Sequence, residues 1–357
     1  DGALALALPS KLSQNLEVKY THNKKEINWI SYDFNGEIWF TECFVISKHK
    51  FSYKNKKNKY SDKLISIFDG IEKLKEGVFS NIGAEFTTRL EFSKNWGLGS
   101  SSTLINNLSL WAKIDPYDLL DLTFKGSGYD IACCNKINPI TYVKNKNSRI
   151  IEDANFNPSF KENLFFVYLG HKQNTSEAIE NYRSMPNDIN NIIPKINSIN
   201  LSIIKSNTLN EFEKLIVEHE EIISKTINIE PIKNRLFRDY QSGVVKSLGA
   251  WGGDFVLVTG NKSSLSYFSK TFGFNIGCKV FTEIFFKMNC RYNRHQICIT
   301  TSFSKSINRS LYLSNSCRYC GKRICNCITS IIMGVNSKIF TRNVFCYLSY
   351  SFFNFIG

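Results

Sequence analysis

Residues 93–103 read SKNWGLGSSST, and LINNLSLWA follows at 104–112. The apolar spacing of the second segment predicts a helix over about 101–112, and AEFTTRLEF at 84–92 reads as a strand. Gly97, Gly99 and the hydroxyls of Ser100, Ser101 and Ser102 therefore sit between a strand and a helix start. Glycine adopts positive φ and lets the backbone approach a ligand closely. The first amides of a helix have no intrahelical acceptor and lie at the positive end of its dipole, so they attract phosphate. Serine hydroxyls can add hydrogen bonds or ligate Mg2+. No Lys follows the second glycine, so the loop is not a Walker loop. Taken alone, the pattern fits a plain N-cap equally well.

Two more glycine turns bear on the choice. GSGYD at 126–130 puts the carboxylate of Asp130 on a turn, where it could take a proton from an attacking hydroxyl or simply cap the IACC that follows. GAWGGD at 249–254 precedes FVLVT, and alone reads as a tight loop before a strand. Three such loops, each at a strand or helix end, make three coincidental turns a weak account.

Around these loops the chain alternates strands and helices. LEVKYT (16–21), EINWISYD (26–33) and EIWFTECF (37–44) read as strands, and Lys- and Asn-rich 47–60 as a solvated loop. Asp62 is expected to cap a helix to about 76, and a short helix should follow Asp115 and Pro116. PITYVK (139–144) and LFFVYLG (164–170) read as strands, separated by a polar linker at about 145–162. Helical patterns are expected from Ser176, over about 187–228, over 231–247 and over 263–271, with a final strand at 274–283. The order suggests two α+β domains meeting at a cleft.

The chain has 357 residues, enough for two domains, with 43% apolar residues and a mean hydropathy of −0.21. No stretch reaches the roughly 18 apolar residues of a membrane span. DGALALALP at the start lacks the basic leader of a secretory signal. The chain does not open with Met, so its N-terminus is expected to be cut or incomplete.

The net charge of +14 invites a nucleic-acid reading, but its distribution argues against one. Glu283 is the last acidic residue, and 284–357 carries 10 Lys or Arg with no Asp or Glu. Residues 1–283 hold 35 basic against 31 acidic groups, a net of +4. The same tail holds seven of the eleven Cys. Cys317, Cys320, Cys325 and Cys327 could ligate zinc, but their gaps of two, four and one residues have no matching distant pair. This basic, Cys-rich tail is expected to stand outside the fold. Cys43, Cys133, Cys134 and Cys278 are scattered, as suits reduced thiols and a cytoplasmic location.

At these loops the chain resembles the GHMP kinase family, named for galactokinase, homoserine kinase, mevalonate kinase and phosphomevalonate kinase. NWGLGSSST is similar to that family's phosphate-loop signature, GSGYDIA to the segment carrying its active-site Asp, and SLGAWGGDF to its third glycine motif. YLGHKQNTSEAI at 168–179 resembles the junction that opens the family's second domain. The resemblance covers about 1–283 in the right order and leans, through Asp254, towards the mevalonate and phosphomevalonate kinase branch. It departs in three places. The strand that precedes DGALALALP in the family, with its Lys and Glu, is absent here, which would leave a sheet edge open. Trp251 stands where a small residue is usual. The family's metal-binding acid has no clear counterpart, although Asp118 and Asp121 are near.

The resemblance implies an α+β, two-domain GHMP kinase fold. Its ATP-binding domain, ribosomal-S5-like, would span 1–155. A ferredoxin-like α/β sandwich would span 156–283. It implies a kinase moving the γ-phosphate of ATP, with Mg2+, to a hydroxyl or phosphate of a small acceptor, foremost mevalonate or phosphomevalonate in isoprenoid precursor synthesis. Asp130 would be catalytic. Trp96, Gly97, Leu98, Gly99, Ser100, Ser101 and Ser102 would bind the nucleotide, with Ser101 on Mg2+. Gly128, Gly252, Gly253 and Asp254 would line the acceptor cleft. Neither nucleic acid nor membrane is expected as a partner, and a homodimer is compatible. The alternatives are a sugar-type kinase, a related ATP-dependent decarboxylase or a non-catalytic homologue.

Overall fold

The computed structural model describes residues 2–170 apart from 24, 48–49, 56–57, 81, 125 and 147, then 189–268 apart from 250, 252–254 and 265, and lastly 279–280, 299–302 and 339–351. Two sheets with flanking helices make an α+β fold.

The first sheet is built on β1 (Ala5–Thr21), β2 (Glu26–Tyr32), β3 (Ile38–Ser47), β4 (Lys50–Tyr53) and β5 (Gly83–Leu90). β5 lies between β1, antiparallel to it, and β2, parallel to it, and β3 and β4 continue outward. Period-2 alternation turns Leu16, Val18, Ile27 and Trp29 inward. Trp29 stacks on Phe86 with centroids 5.5 Å apart. Over this face pack α1 (Lys59–Leu74) and α2 (Ser100–Ala112), each through one apolar stripe. Asn58, not Asp62, caps α1, accepting from the Tyr60 and Ser61 amides, and Asp62 falls in the first turn. The supposed loop at 47–60 contains β4, because Phe51 is buried against α1.

After α3 (Pro116–Leu122), capped by Asp115 as expected, come α4 (Tyr129–Cys134), β6 (Ile140–Lys144) and β7 (Arg149–Asp153). β6 pairs with the start of β1 and with β7. The segment 145–162 is therefore a hairpin arm followed by buried Phe156 and Phe160, not a free linker.

The second sheet uses β8 (Leu164–Tyr168), β9 (Val245–Ser247), β10 (Phe255–Thr259) and β11 (Lys279–Val280) in the order β11-β8-β10-β9, all antiparallel. Helices α5 (Ile189–Lys205), α6 (Leu209–Ile227) and α7 (Ile232–Leu236) come between β8 and β9. The helix expected over 231–247 stops at Leu236. Gly243 comes so close to Thr259 that a Cβ would stand 2.2 Å from its carbonyl oxygen, and Tyr240 donates to that same oxygen at 2.6 Å. These contacts require the extended chain that becomes β9. Of the expected helix at 263–271, Lys262–Ser264 forms a 3-10 turn and 266–268 are helical. The expected helix from Ser176 lies outside the described residues.

One core spans both sheets. Leu6, Leu8, Leu90 and Leu98 from the first half pack with Phe166, Tyr168 and Leu257 from the second.

The tail departs from expectation. Among its described residues, β12 (Ile299–Ser302) pairs with β13 (Ile339–Ser351), and β13 runs antiparallel along β1 from Ala7↔Ser351 to Lys19↔Thr341. The edge expected to be open is thus occupied. IFTRNVFCYLSYS is rich in β-branched and aromatic residues, which favour strands, and backbone pairing is indifferent to the tail's lack of acids. Cys317, Cys320, Cys325 and Cys327 lie outside the described residues. No helix among the described residues is long and apolar enough to cross a membrane.

Candidate active site

The chain leaves β5 through buried Phe92 and enters α2 through a loop anchored by buried Leu98. Trp96 donates its amide to Ser93 at 3.0 Å, closing a turn. Gly97 and Gly99 have φ of +66° and +75°, the left-handed region where a side chain is strained. The second half backs the loop. The Trp96 ring lies 6.2 Å from Tyr168 and 6.0 Å edge-on from Phe255, and the Tyr168 hydroxyl donates to the Asn95 carbonyl at 3.1 Å. Sequence spacing does not show Tyr168 or Phe255, which meet the loop only through the tertiary fold.

Gly99 caps α2 without a side-chain hydrogen bond, and no acid occupies the helix's first turn. The first amides and the hydroxyls of Ser100 and Ser101 are thus left for an incoming anion. Buried Thr103 and Asn107 fasten α2 to β1, Thr103 donating to Gln14 Oε1 at 2.5 Å and Asn107 to the Gln14 carbonyl at 2.9 Å.

Asp130 lies in the first turn of α4, half-buried, after Gly128 with φ +84°. A Cβ on Gly128 would stand 3.0 Å from the Tyr117 ring, so the turn packs directly on α3. The Tyr142 hydroxyl donates to the Ser127 carbonyl at 2.5 Å and Lys144 Nζ to the Gly126 carbonyl at 2.6 Å. Burial pushes the Tyr142 phenol up to about 12, so it stays protonated and keeps donating. Arg149 binds both Asp121 oxygens, at 3.0 and 2.9 Å, and stacks over Tyr117. Asp121 is therefore engaged in holding β7 to α3. Asp118 is exposed in the first turn of α3.

The two turns meet. Asp130 Oδ2 lies 3.4 Å from Ser102 Oγ, and a Cβ built on Gly99 would stand 3.3 Å from the same oxygen. Ser102, rather than Ser101, is the hydroxyl beside the carboxylate, and Ser101 is exposed at the helix start. Among the described residues no group of three or more His, Cys, Asp or Glu forms a ready metal site. The hydroxyls at the start of α2 could hold Mg2+, which takes few protein oxygens and completes its shell with other oxygens and water.

In the third loop Leu248 is buried in the core that holds Leu98, and Gly249 has φ +57°. Trp251 has φ +54° and is buried among Ala3, Ile196, Ile223 and Ile227. The small residue expected there is replaced by a large apolar anchor that ties the loop to α5 and α6. Gly252, Gly253 and Asp254 lie outside the described residues.

No protein-family model matches the chain, and no curated protein does. Solved structures do. The Methanococcus jannaschii mevalonate kinase is 18% identical, with a TM-score of 0.56 over 76% of this chain and 88% of that one. Lactococcus lactis galactokinase complexed with galactose is 11% identical, with 0.53 over 79% and 85%. The chain has the GHMP kinase fold. A D-glycero-D-manno-heptose 1-phosphate kinase shares that fold at 14% identity, with a TM-score of 0.50 over 76% of this chain and 84% of that one. These GHMP folds carry different acceptors in their names, so the likeness extends to architecture and does not select an acceptor.

Proposed function

We propose that the chain is an ATP-dependent small-molecule kinase. The observation that carries this reading is the meeting of Asp130 with the glycine loop at the start of α2, where Gly99 leaves room beside the carboxylate. The amides of Ser100–Ser102 and the adjacent hydroxyls would hold the nucleotide phosphates at the positive end of the helix. Mg2+, held by a serine hydroxyl at the helix start, would supply charge neutralisation at the phosphates. Asp130 would hold the acceptor hydroxyl and take its proton. Catalysis of this kind is mostly positioning and electrostatics, which suits a loop packed rigidly between two halves.

For the acceptor we favour mevalonate or phosphomevalonate, on the resemblance of the three glycine motifs, with a sugar as the alternative. The third loop would close the acceptor cleft. We place the chain in the cytoplasm because Cys43, Cys133, Cys134 and Cys278 are scattered in sequence, as suits reduced thiols.

The test is a panel assay with Mg-ATP and mevalonate, phosphomevalonate, homoserine, galactose and related sugars, following ADP and phosphorylated product. ATP-dependent phosphorylation of one acceptor supports the reading. ADP formed with release of carbon dioxide would reassign the chain as a decarboxylase. Nucleotide that neither binds nor turns over would sink it.

A further inference from the structure

A charge pair lies beneath the third loop. Lys246 on β9 and Glu220 on α6 are 1% and 5% exposed, with Nζ 3.1 Å from Oε2. Glu220 Oε1 also accepts the Ser247 amide at 3.2 Å. Glu213, two helical turns earlier on the same face, accepts from the Thr259 hydroxyl, which itself accepts the Val244 amide at 2.9 Å. α6 thus grips both strands of the hairpin that carries the loop.

Stability alone does not account for the pair. Removing two charges from water is costly, and apolar residues of similar volume are often as stable or more so. Its position in the chain is more informative. Ser247 is followed directly by Leu248, which is buried in the same core as Leu98 of the glycine loop, and then by Gly249 and Trp251 with their positive φ. The hydrogen bond from Ser247 to Glu220 fixes where the chain leaves β9. It therefore fixes how Leu248 enters the core it shares with Leu98 and how the third loop starts.

We propose that Glu220 is a positioning residue for the candidate kinase site, acting through the Ser247 amide, with Lys246 as the counter-charge that lets the carboxylate be buried. The proposal rests on the kinase reading above.

Two neutral double variants test it. Glu220→Leu/Lys246→Met removes charge and acceptor together. Glu220→Gln/Lys246→Met removes the charges but keeps an oxygen for the Ser247 amide. Both should melt within a few degrees of the parent chain. The first should lose at least about tenfold in kcat/KM for ATP, since misplacement on the order of an ångström is costly in catalysis, and the second should recover to within about threefold. Amide exchange over 247–251 and 97–102 should quicken in the first variant only. A folded first variant with kinetics and exchange like the parent's would overturn the proposal, as would equal losses in both variants. Exchange in the parent chain provides a check without any substitution. Ser247 and Leu248 amides should be protected like those of β10, and loop-like exchange there would also overturn it. If the parent phosphorylates no acceptor, the kinase reading fails, while the exchange measurements still decide whether Glu220 sets the two loops.

Discussion

Gly99 and Asp130 lie side by side: a Cβ placed on Gly99 would stand 3.2 Å from Asp130 Cγ and 3.3 Å from Oδ2. The glycine loop and the Asp turn are about thirty residues apart in sequence, yet the missing side chain of one makes room for the carboxylate of the other. Mutating either partner separates their contributions.

Asp130→Asn keeps the shape and removes the charge. With the best acceptor, kcat should fall on the order of a hundredfold, as expected for a lost base, while the Kd for ATP changes little. Steady-state kinetics and calorimetric titration check both. Turnover near that of the parent would make Asp130 structural.

Gly99→Ala adds a methyl group where φ is +75° and the carboxylate is in the way. The backbone strain is on the order of 1–2 kcal/mol, and Asp130 must also shift. ATP affinity and kcat should both fall by more than about tenfold, while the melting temperature drops by only a few degrees. An alanine variant with intact kinetics would show that the contact is incidental.

The His219 imidazole is held well below its ordinary value of 6.5, first by burial and then by the Lys246 charge. The unfolded chain binds a proton near pH 6.5 that the folded chain refuses, so the unfolded state gains protons as pH falls. Stability should therefore be full above about pH 6.5 and decline below it. Urea midpoints measured from pH 7.5 to 5.5 should show this fall, and His219→Gln should flatten it. An unchanged slope in that variant would assign the decline to other groups.

Trp251→Gly relieves the left-handed strain but empties a buried site between α5 and α6. Loss of a buried indole costs roughly 3–5 kcal/mol, more than the roughly 1–2 kcal/mol of strain recovered. The variant should be less stable by denaturant titration. A gain in stability would mean that the strain outweighs the packing.

The glycine turn at 97–99, the helix start at Ser100 and the turn carrying Asp130 could be read from the sequence because local chemistry dictates them. Positive φ favours glycine, and a helix N-terminus collects small hydroxyl residues. α3 was legible for the same reason, through Asp115 and Pro116. The support around the site was not. Tyr168 on Asn95, Arg149 on Asp121 and Glu220 on Ser247 are contacts between segments 27 to 73 residues apart, and no periodicity encodes them. β9 was misread as helix because its three residues are defined by pairing with β10 and not by any pattern of their own. The strand at 339–351 was set aside on charge, a property that strand pairing does not consult.

The core in which Leu6, Leu8, Leu90 and Leu98 meet Phe166, Tyr168 and Leu257 also governs how the molecule comes apart. Neither sheet can be withdrawn without exposing the apolar face of the other, so a division of the chain near residue 155 would not divide its cooperativity. Calorimetry should record one transition, and a fragment ending at 155 should aggregate. Bound nucleotide would then protect the whole molecule from proteolysis, remote helices included, because no half has a private route to unfolding.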